Sequence, residues 1–415
     1  MTVPSAVAWF GSSSHRVECA VLQAQIHHGR DDATSQPEAS SATFELVGPL
    51  PPEAVIGARV AILAQLGATT YPRFAGEITD VRLEWDDVDT ARPTIIAVGD
   101  LARLGRRPIG DVPWPQELDG ARVSRILTLG GFPPDPLLSD PGTVAVLARD
   151  VDRQPALKLA QDTAGDGAGI VWQDREGRIR YADALHRRGS QVALTLRGCD
   201  VGLGVGWSTS LEGLVNDLYL RYGPPIGGGD QAEVHVSDPA SISARGTFGA
   251  STSTAIATAV DAQKRADLAV SRQASPTWIL GGIEVDLGIL DAATTAALLA
   301  LEVHALVNLT GLPATSPAVS ALLWVEGWRE TVQGVEGGVA WQIALATSDY
   351  CRTSAPPRWD DLQPGVTWNT IDPARTWNSS TCVPPQPPHG RWNDAPSSVR
   401  WDAVDPATTW QTWPY

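Results

Sequence analysis

Glu326 and Glu330 flank Trp328 and are the pair in this chain that most invites a hydrolytic reading. Two carboxylates about 5–10 Å apart can serve as acid and base, or acid and nucleophile, on a glycosidic bond. Residues four apart on a strand share one face at ~13 Å. That is too wide for either geometry, and a solvated strand face is the preferred reading. His27, His28, Asp31 and Asp32 are metal-ligating types at close spacing. A polar connecting loop over residues 28–35, at a barrel edge, explains them without a metal. The glycine-rich runs 165–169 and 202–206 lack the strand–turn–helix context of a dinucleotide site, and no Gly-Lys-Ser/Thr follows to make a P-loop. GxSxG and HExxH do not occur. Cys19, Cys199, Cys351 and Cys382 are too widely spaced for a CxxC metal or redox motif. The chain is therefore expected not to be an enzyme, with no catalytic residue, no metal and no cofactor.

The most distinctive chemistry lies in the last 57 residues, which hold seven of the 16 tryptophans. Trp359, Trp368 and Trp377 are nine residues apart, as are Trp392, Trp401 and Trp410, and each member of the second set follows its counterpart by 33 residues. The units WDDLQPGVT, WNTIDPART, WNDAPSSVR and WDAVDPATT agree in Trp, then Asp or Asn, then a proline, then Thr or Arg before the next Trp; Trp413 adds a seventh indole. Few aliphatic residues are present here to bury them locally. Tryptophan is the residue most enriched at interface hot spots, and proline lowers the entropy lost on docking. These seven tryptophans are expected to form an extended docking strip on a partner surface. A compact Trp/Pro mini-fold and sugar-stacking platforms are the alternatives. The linker VPPQPP at 383–388 favours polyproline II and acts as a stiff spacer. Cys351 and Cys382 bracket the first half of the repeat and could form a disulfide in an oxidising medium, although free thiols are the simpler reading.

The elements that must carry these groups are mostly strands. Residues 42–47, 59–63, 74–83 and 94–98 alternate apolar and polar types between turn-forming clusters, the pattern of a small antiparallel barrel or sandwich. Residues 120–129 and 155–163 have helical spacing, and 170–181 reads as a hairpin turning at 174–177. Strands return at 216–222, 232–236, 277–280, 284–287, 304–309, 322–332 and 339–347. One helix over about 254–272 interrupts them, with Ser251 or Thr252 as its cap. The expected organisation is mainly β with an α+β insert: a β-barrel domain over 1–107, the insert over 108–190, a second β-barrel domain over 191–350, and the Trp-repeat tail over 351–415.

Charge narrows the partners. There are 31 basic against 47 acidic side chains and a formal charge of −16, which argues against sequence-independent nucleic-acid or anionic-membrane binding. Only Lys158 and Lys264 are lysines, and Met1 is the sole methionine, a bias of the kind a GC-rich genome produces. No signal peptide and no span of 18 apolar residues is read, so a soluble protein made in a cytosol, without membrane insertion, is expected.

Several short runs resemble minor tail proteins of actinobacterial siphophages: GRDDATS at 29–35, ATFEL at 42–46, IGARV at 56–60 and FAGEITD at 74–80. QDREGRIRY at 173–181, SDPASI at 237–242, VDAQKRA at 260–266 and VEG at 325–327 extend the likeness over about residues 1–350. It is a succession of short motifs with no single diagnostic one. The resemblance implies a baseplate hub, or tail-associated protein, with two similar β-barrels per chain and an insert between them. Three chains would place six barrels in a ring that closes the distal tail tube. It further implies a homotrimer in the virion at the distal tail tip, assembled in the bacterial cytoplasm. Its partners would be the distal tail protein, the C-terminus of the tape-measure protein, and other tail-tip or fibre proteins. Members often continue into a peptidase or other module, whereas this chain ends in the tryptophan strip, so a cell-wall hydrolase is the weaker alternative. A host cell-wall carbohydrate-binding receptor module is the other.

Overall fold

The computed structural model describes residues 4–350, apart from 13–14, 88–89, 111, 151–152, 188–189, 203, 225–229 and 336–337. The fold is mainly β. Strands β1 (Ser5–Ser12), β2 (His15–Gly29), β3 (Ser41–Leu46), β4 (Arg59–Leu66), β5 (Thr69–Asp87) and β6 (Thr90–Val98) come first. They pair in the order β1-β4-β5-β6-β3-β2, and β1 pairs again with β2, so the six close into a ring. Closure removes the unpaired edges that an open sheet would expose. The alternation read from the sequence supplies the filling: Phe10, Phe44, Ile62, Phe74, Ile78 and Ile95 are all buried.

The next stretch holds α1 (Asp100–Gly105), β7 (Pro108–Ile109), β8 (Glu117–Leu118), α2 (Asp119–Leu129), β9 (Ala145–Val146), β10 (Gln154–Pro155) and α3 (Ala156–Asp166). It ends in the hairpin β11 (Ile170–Gln173) and β12 (Ile179–Ala182). Val123, Ile126 and Leu127 of α2 meet Leu159, Ala160 and Ala164 of α3 in a small core of their own, with Val171 and Tyr181 from the hairpin.

Strand β13 (Val192–Arg197) opens the second ring, followed by β14 (Gly206–Ser208). An excursion then carries β15 (Asp217–Tyr222), β16 (Ala232–Ser237), α4 (Pro239–Arg245), β17 (Gly249–Ser253) and α5 (Ala259–Gln273). The ring resumes with β18 (Ile279–Gly281), β19 (Ile283–Asp286), α6 (Ala292–Ala300), β20 (Leu306–Thr310), β21 (Ser320–Val335) and β22 (Gly338–Asp349). Pairing runs β13-β20-β21-β22-β19, with β13 and β20 parallel. The chain after β13 returns to the far side, where the Gly202 amide donates to the Glu284 carbonyl at 2.7 Å and β14 pairs with β18.

Strands β15 and β16, which sequence alternation places among the ring strands, form a separate sheet with β17. The reason is α5: its Ala262, Ala266 and Val270 need cover and find it on Leu218 and Leu220 of β15. Val144 and Val146 of the earlier insert complete that core. The helix starts later than its apolar spacing suggests, at Ala259. Thr258 caps it by accepting from the Asp261 amide at 3.2 Å, while Ser251 and Thr252 lie on β17.

The two rings are joined by one seam. Strand β2 pairs with β1 through residues 15–20, then with β21 through residues 23–29. A bulge between Val21 and Gln23 shifts the inward phase of β2, so that Ala24, Ile26 and His28 face the core. A second bulge, between Val325 and Gly327, does the same for β21 and turns Trp328, Glu330 and Val332 inward. His28 and Gly29 thus finish a buried strand, and the connecting loop begins only at Arg30.

Candidate functional site

The seven tryptophans of the strip, Trp359, Trp368, Trp377, Trp392, Trp401, Trp410 and Trp413, lie outside the described residues, as do Cys351 and Cys382. Cys19 and Cys199 are free thiols. Among the described residues no group of three His, Cys, Asp or Glu side chains is arranged to hold a metal ion. His27 Nε2 lies 3.5 Å from Asp31 Oδ1, and Asp32 accepts from the Thr34 and Ser35 amides at 2.7 and 2.9 Å as a turn residue.

The two glutamates overturn the expectation of a solvated strand face. Glu326 and Glu330 are fully enclosed, at 0 and 1 % exposure. The reason lies in their partners, of which the three arginines are distant in sequence. Arg73 of β5 grips Glu330 through Nε at 3.0 and 3.1 Å and Nη2 at 2.8 Å. The Trp328 and Trp341 indoles donate to the same carboxylate at 2.8 and 3.0 Å. Glu326 accepts from Arg30 Nε and Nη2 at 2.9 and 2.6 Å, from Arg187 Nη2 at 2.8 Å on each oxygen, and from the Ser348 hydroxyl. Burial pushes the Glu326 carboxyl upward, but Arg187 and Arg30 outweigh it and hold it below the ordinary range. Each carboxylate is thus tied to the first ring or the insert while standing on the second ring.

His28 sits beside them. Its Nε2 lies 2.6 Å from the Arg73 carbonyl, which can only accept, so Nε2 carries the proton and the Ser40 hydroxyl donates to Nδ1 at 2.7 Å. Burial drives its pKa down to about 3, keeping the ring neutral. It packs on Trp328 with ring centroids 4.9 Å apart. Side chains could not fill the backbone crossing at this point. Gly29, at φ +78°, faces Gly327, and a Cβ on either would strike the other strand's backbone.

The tip of the β11–β12 hairpin wedges between the rings. On one side Gln173 donates to the Ala75 carbonyl at 2.8 Å and accepts from the Leu101 amide at 3.3 Å. On the other, Arg175 Nη1 reaches the carbonyls of Leu299 and Leu301 at 3.0 and 2.9 Å, and its amide donates to Glu302 at 3.2 Å. The tip is held rigid by Asp174, which accepts from the Glu176 and Arg178 amides and from the Arg178 and Arg180 side chains.

Chemically, this seam is suited to fixing three parts in one arrangement. The oxygens of both glutamates are engaged by guanidinium, indole or hydroxyl donors inside a core, which leaves them poorly placed to exchange protons with a substrate. Sequence reasoning found Glu326, Glu330 and His28 but gave them the wrong surroundings, and it missed Arg30, Arg73 and Arg187. One signal was available: Trp328, Glu330 and Val332 share an alternation phase that would bury the charge, which demands a basic partner elsewhere.

No family model matches the sequence, and no curated protein matches it. Solved structures do match the fold. A tail protein from Neisseria meningitidis MC58 aligns with a TM-score of 0.59 at 12% identity, covering 85% of this chain and 99% of its own. The 43 kDa tail protein of prophage MuSo2 from Shewanella oneidensis aligns at 0.54 and 13% identity, with 82% and 98% covered. Prophage tail protein gp18 from Listeria monocytogenes EGD-e aligns at 0.51 and 9% identity, with 82% and 94% covered. At such identities the likeness is one of fold: this chain has the architecture of phage tail proteins.

Proposed function

We propose that this chain is a structural virion protein, the tail-tip hub of a long-tailed phage, and not an enzyme. The observation that carries the reading is the pair of β-rings fused through β2 and β21, in a fold that accounts for nearly the whole of three tail proteins, two of them from prophages. Two ring-shaped units per chain allow three chains to present six, matching a sixfold tube to a threefold tip by closed symmetry. In this reading the homotrimer closes the distal tail tube and contacts the distal tail protein and the C-terminus of the tape-measure protein. The tryptophan strip tethers neighbouring tip or fibre proteins. The acidic balance disfavours adhesion to DNA in the lumen, since like charges repel. A cryo-electron map of assembled tails tests this directly. The expected result is three copies around the tip with residues 355–415 laid on neighbouring subunits; a chain located elsewhere in the particle, or absent from it, contradicts the reading.

A further inference from the structure

We propose that residues 80–87 of β5 form the seam between copies of this chain, their open edge and apolar inward face covered by the second ring of another copy. This rests on the threefold reading above and names the surface that holds the copies together. The two rings share one strand order, β4-β5-β6-β3 in the first and β20-β21-β22-β19 in the second. In each, the second of these strands outruns the first. β5 pairs with β4 through residues 69–77, and β21 pairs with β20 through residues 320–324. Both then carry a bulge against the following strand, between Ile78 and Asp80 in β5 and between Val325 and Gly327 in β21.

Beyond the bulge the two strands meet different fates. Residues 327–333 of β21 are taken up by β2, which runs antiparallel to them. That pairing lays the first ring over the inward side chains, and Trp328, Glu330 and Val332 are buried. Residues 80–87 of β5, among the described residues, pair only with β6. Counted from the bulge, Val81, Leu83 and Trp85 stand where Trp328, Glu330 and Val332 stand in the second ring. Val81 packs on the ring core, but Leu83 is 47% and Trp85 75% exposed. An open edge beside an apolar face is a ready template for another strand. Leu83 takes the place of the charged Glu330, so this second seam needs no buried arginine.

The occupant follows from the same correspondence. β2 pairs antiparallel with β3, which pairs antiparallel with β6. In the second ring β14 pairs antiparallel with β18, which leads into β19, the antiparallel neighbour of β22. β14 therefore has the place and direction of β2, although β13 runs parallel to β20 where β1 runs antiparallel to β4. Its other edge is unpaired among the described residues. β5 stands across the first ring from β2, and β14 across the second from β21, so the two lie on outer flanks of the chain, away from its own seam. Their pairing is then made between copies, head to tail, which closes into a ring of three.

The test is sedimentation velocity of the full-length chain over a concentration series, wild type beside Trp85→Asp. Trp85 is exposed in the single chain, so the variant should keep the wild-type circular dichroism spectrum and urea midpoint. The expected result is a wild-type trimer and, in the variant, a rise of at least about tenfold in the concentration at which monomers assemble. Photo-cross-linking locates the contact: with p-benzoylphenylalanine in place of Trp85, cross-links should join one copy to residues around β14 of another. An undiminished trimer in the folded variant, or cross-links that miss the second ring, would overturn the proposal and leave the threefold hub standing. A wild-type chain that stays monomeric in solution and in assembled tails would overturn both.

Discussion

Arg73 of the first ring and Glu330 of the second make a three-bond contact, at 2.8 to 3.1 Å, with neither side chain more than 1% exposed. Charges so deeply placed are costly to strand singly. Arg73→Met should destabilise the chain by about 3–5 kcal/mol, because Glu330 would keep only its two indole donors. The double variant Arg73→Met with Glu330→Gln should recover part of that loss, since the neutral amide removes the stranded charge while its oxygen still accepts from an indole. Urea unfolding of the three proteins checks this; additive losses would show that the pair is not coupled.

Gly327 should be as demanding. A Cβ there would collide with the His28 carbonyl and the Arg30 backbone, which cannot yield without parting the seam. Gly327→Ala is expected to cost about 2–4 kcal/mol. Gly204→Ala, where a Cβ meets nothing within 4 Å, should be near neutral. Comparable denaturation midpoints for both variants would refute the close-approach argument.

Stability should depend on pH through the buried histidines. The folded pKa of His28 is lowered from 6.5 to about 3, and that of His304 also lies well below 6.5, so below pH 6.5 the unfolded chain binds protons that the folded chain does not. Stability is therefore retained above pH 6.5 and lost as pH falls below it. The slope should approach about 1.4 kcal/mol per pH unit for each histidine. Asp166, whose pKa burial raises to about 6, acts in the opposite sense between its unfolded value and pH 6, so the histidine effect is cleanest between pH 7 and 6. Urea midpoints across that window should fall with acid, and a flat profile would contradict the assignment.

The hairpin wedge makes a prediction about local motion. Arg175→Ala removes the two guanidinium contacts from the insert to the end of α6 and breaks no bond to β2 or β21; the Leu299 carbonyl keeps its bond from Arg73. Hydrogen exchange should then quicken in residues 299–302 and around the hairpin, while the seam strands β2 and β21 keep their protection. Uniform acceleration throughout would mean that the wedge is part of one cooperative unit with the seam.

How much of this was legible in the sequence depends on what fixed each element. The first ring could be read because its strands alternate cleanly, as 42–46 and 59–63 do, and each buries one face against its own neighbours. The β11–β12 hairpin could be read from its turn, where Gly177 adopts φ +92°. The seam could not, because its logic lies between residues 257 and 296 positions apart, Arg73 with Glu330 and Arg30 with Glu326. Two bulges also change the strand phase there, so the alternation carried on from Leu323 and Val325 assigns Glu326 and Glu330 to water, against the phase of Trp328 and Val332. The excursion was misread for a similar reason: β15 and β16 alternate like ring strands, and only the amphipathic α5 lying over Leu218 and Leu220 shows that they belong to a separate sheet. The tryptophan repeat is the reverse case, plain in the sequence and outside the described residues.

A threefold hub has a definite mass and definite neighbours. Mass photometry of the purified full-length chain, with cross-linking of assembled tails, tests it most directly. The expected result is a species of three times the 44.0 kDa chain mass, and cross-links between copies in the tail that fit a threefold ring. A strict monomer in both preparations would contradict it.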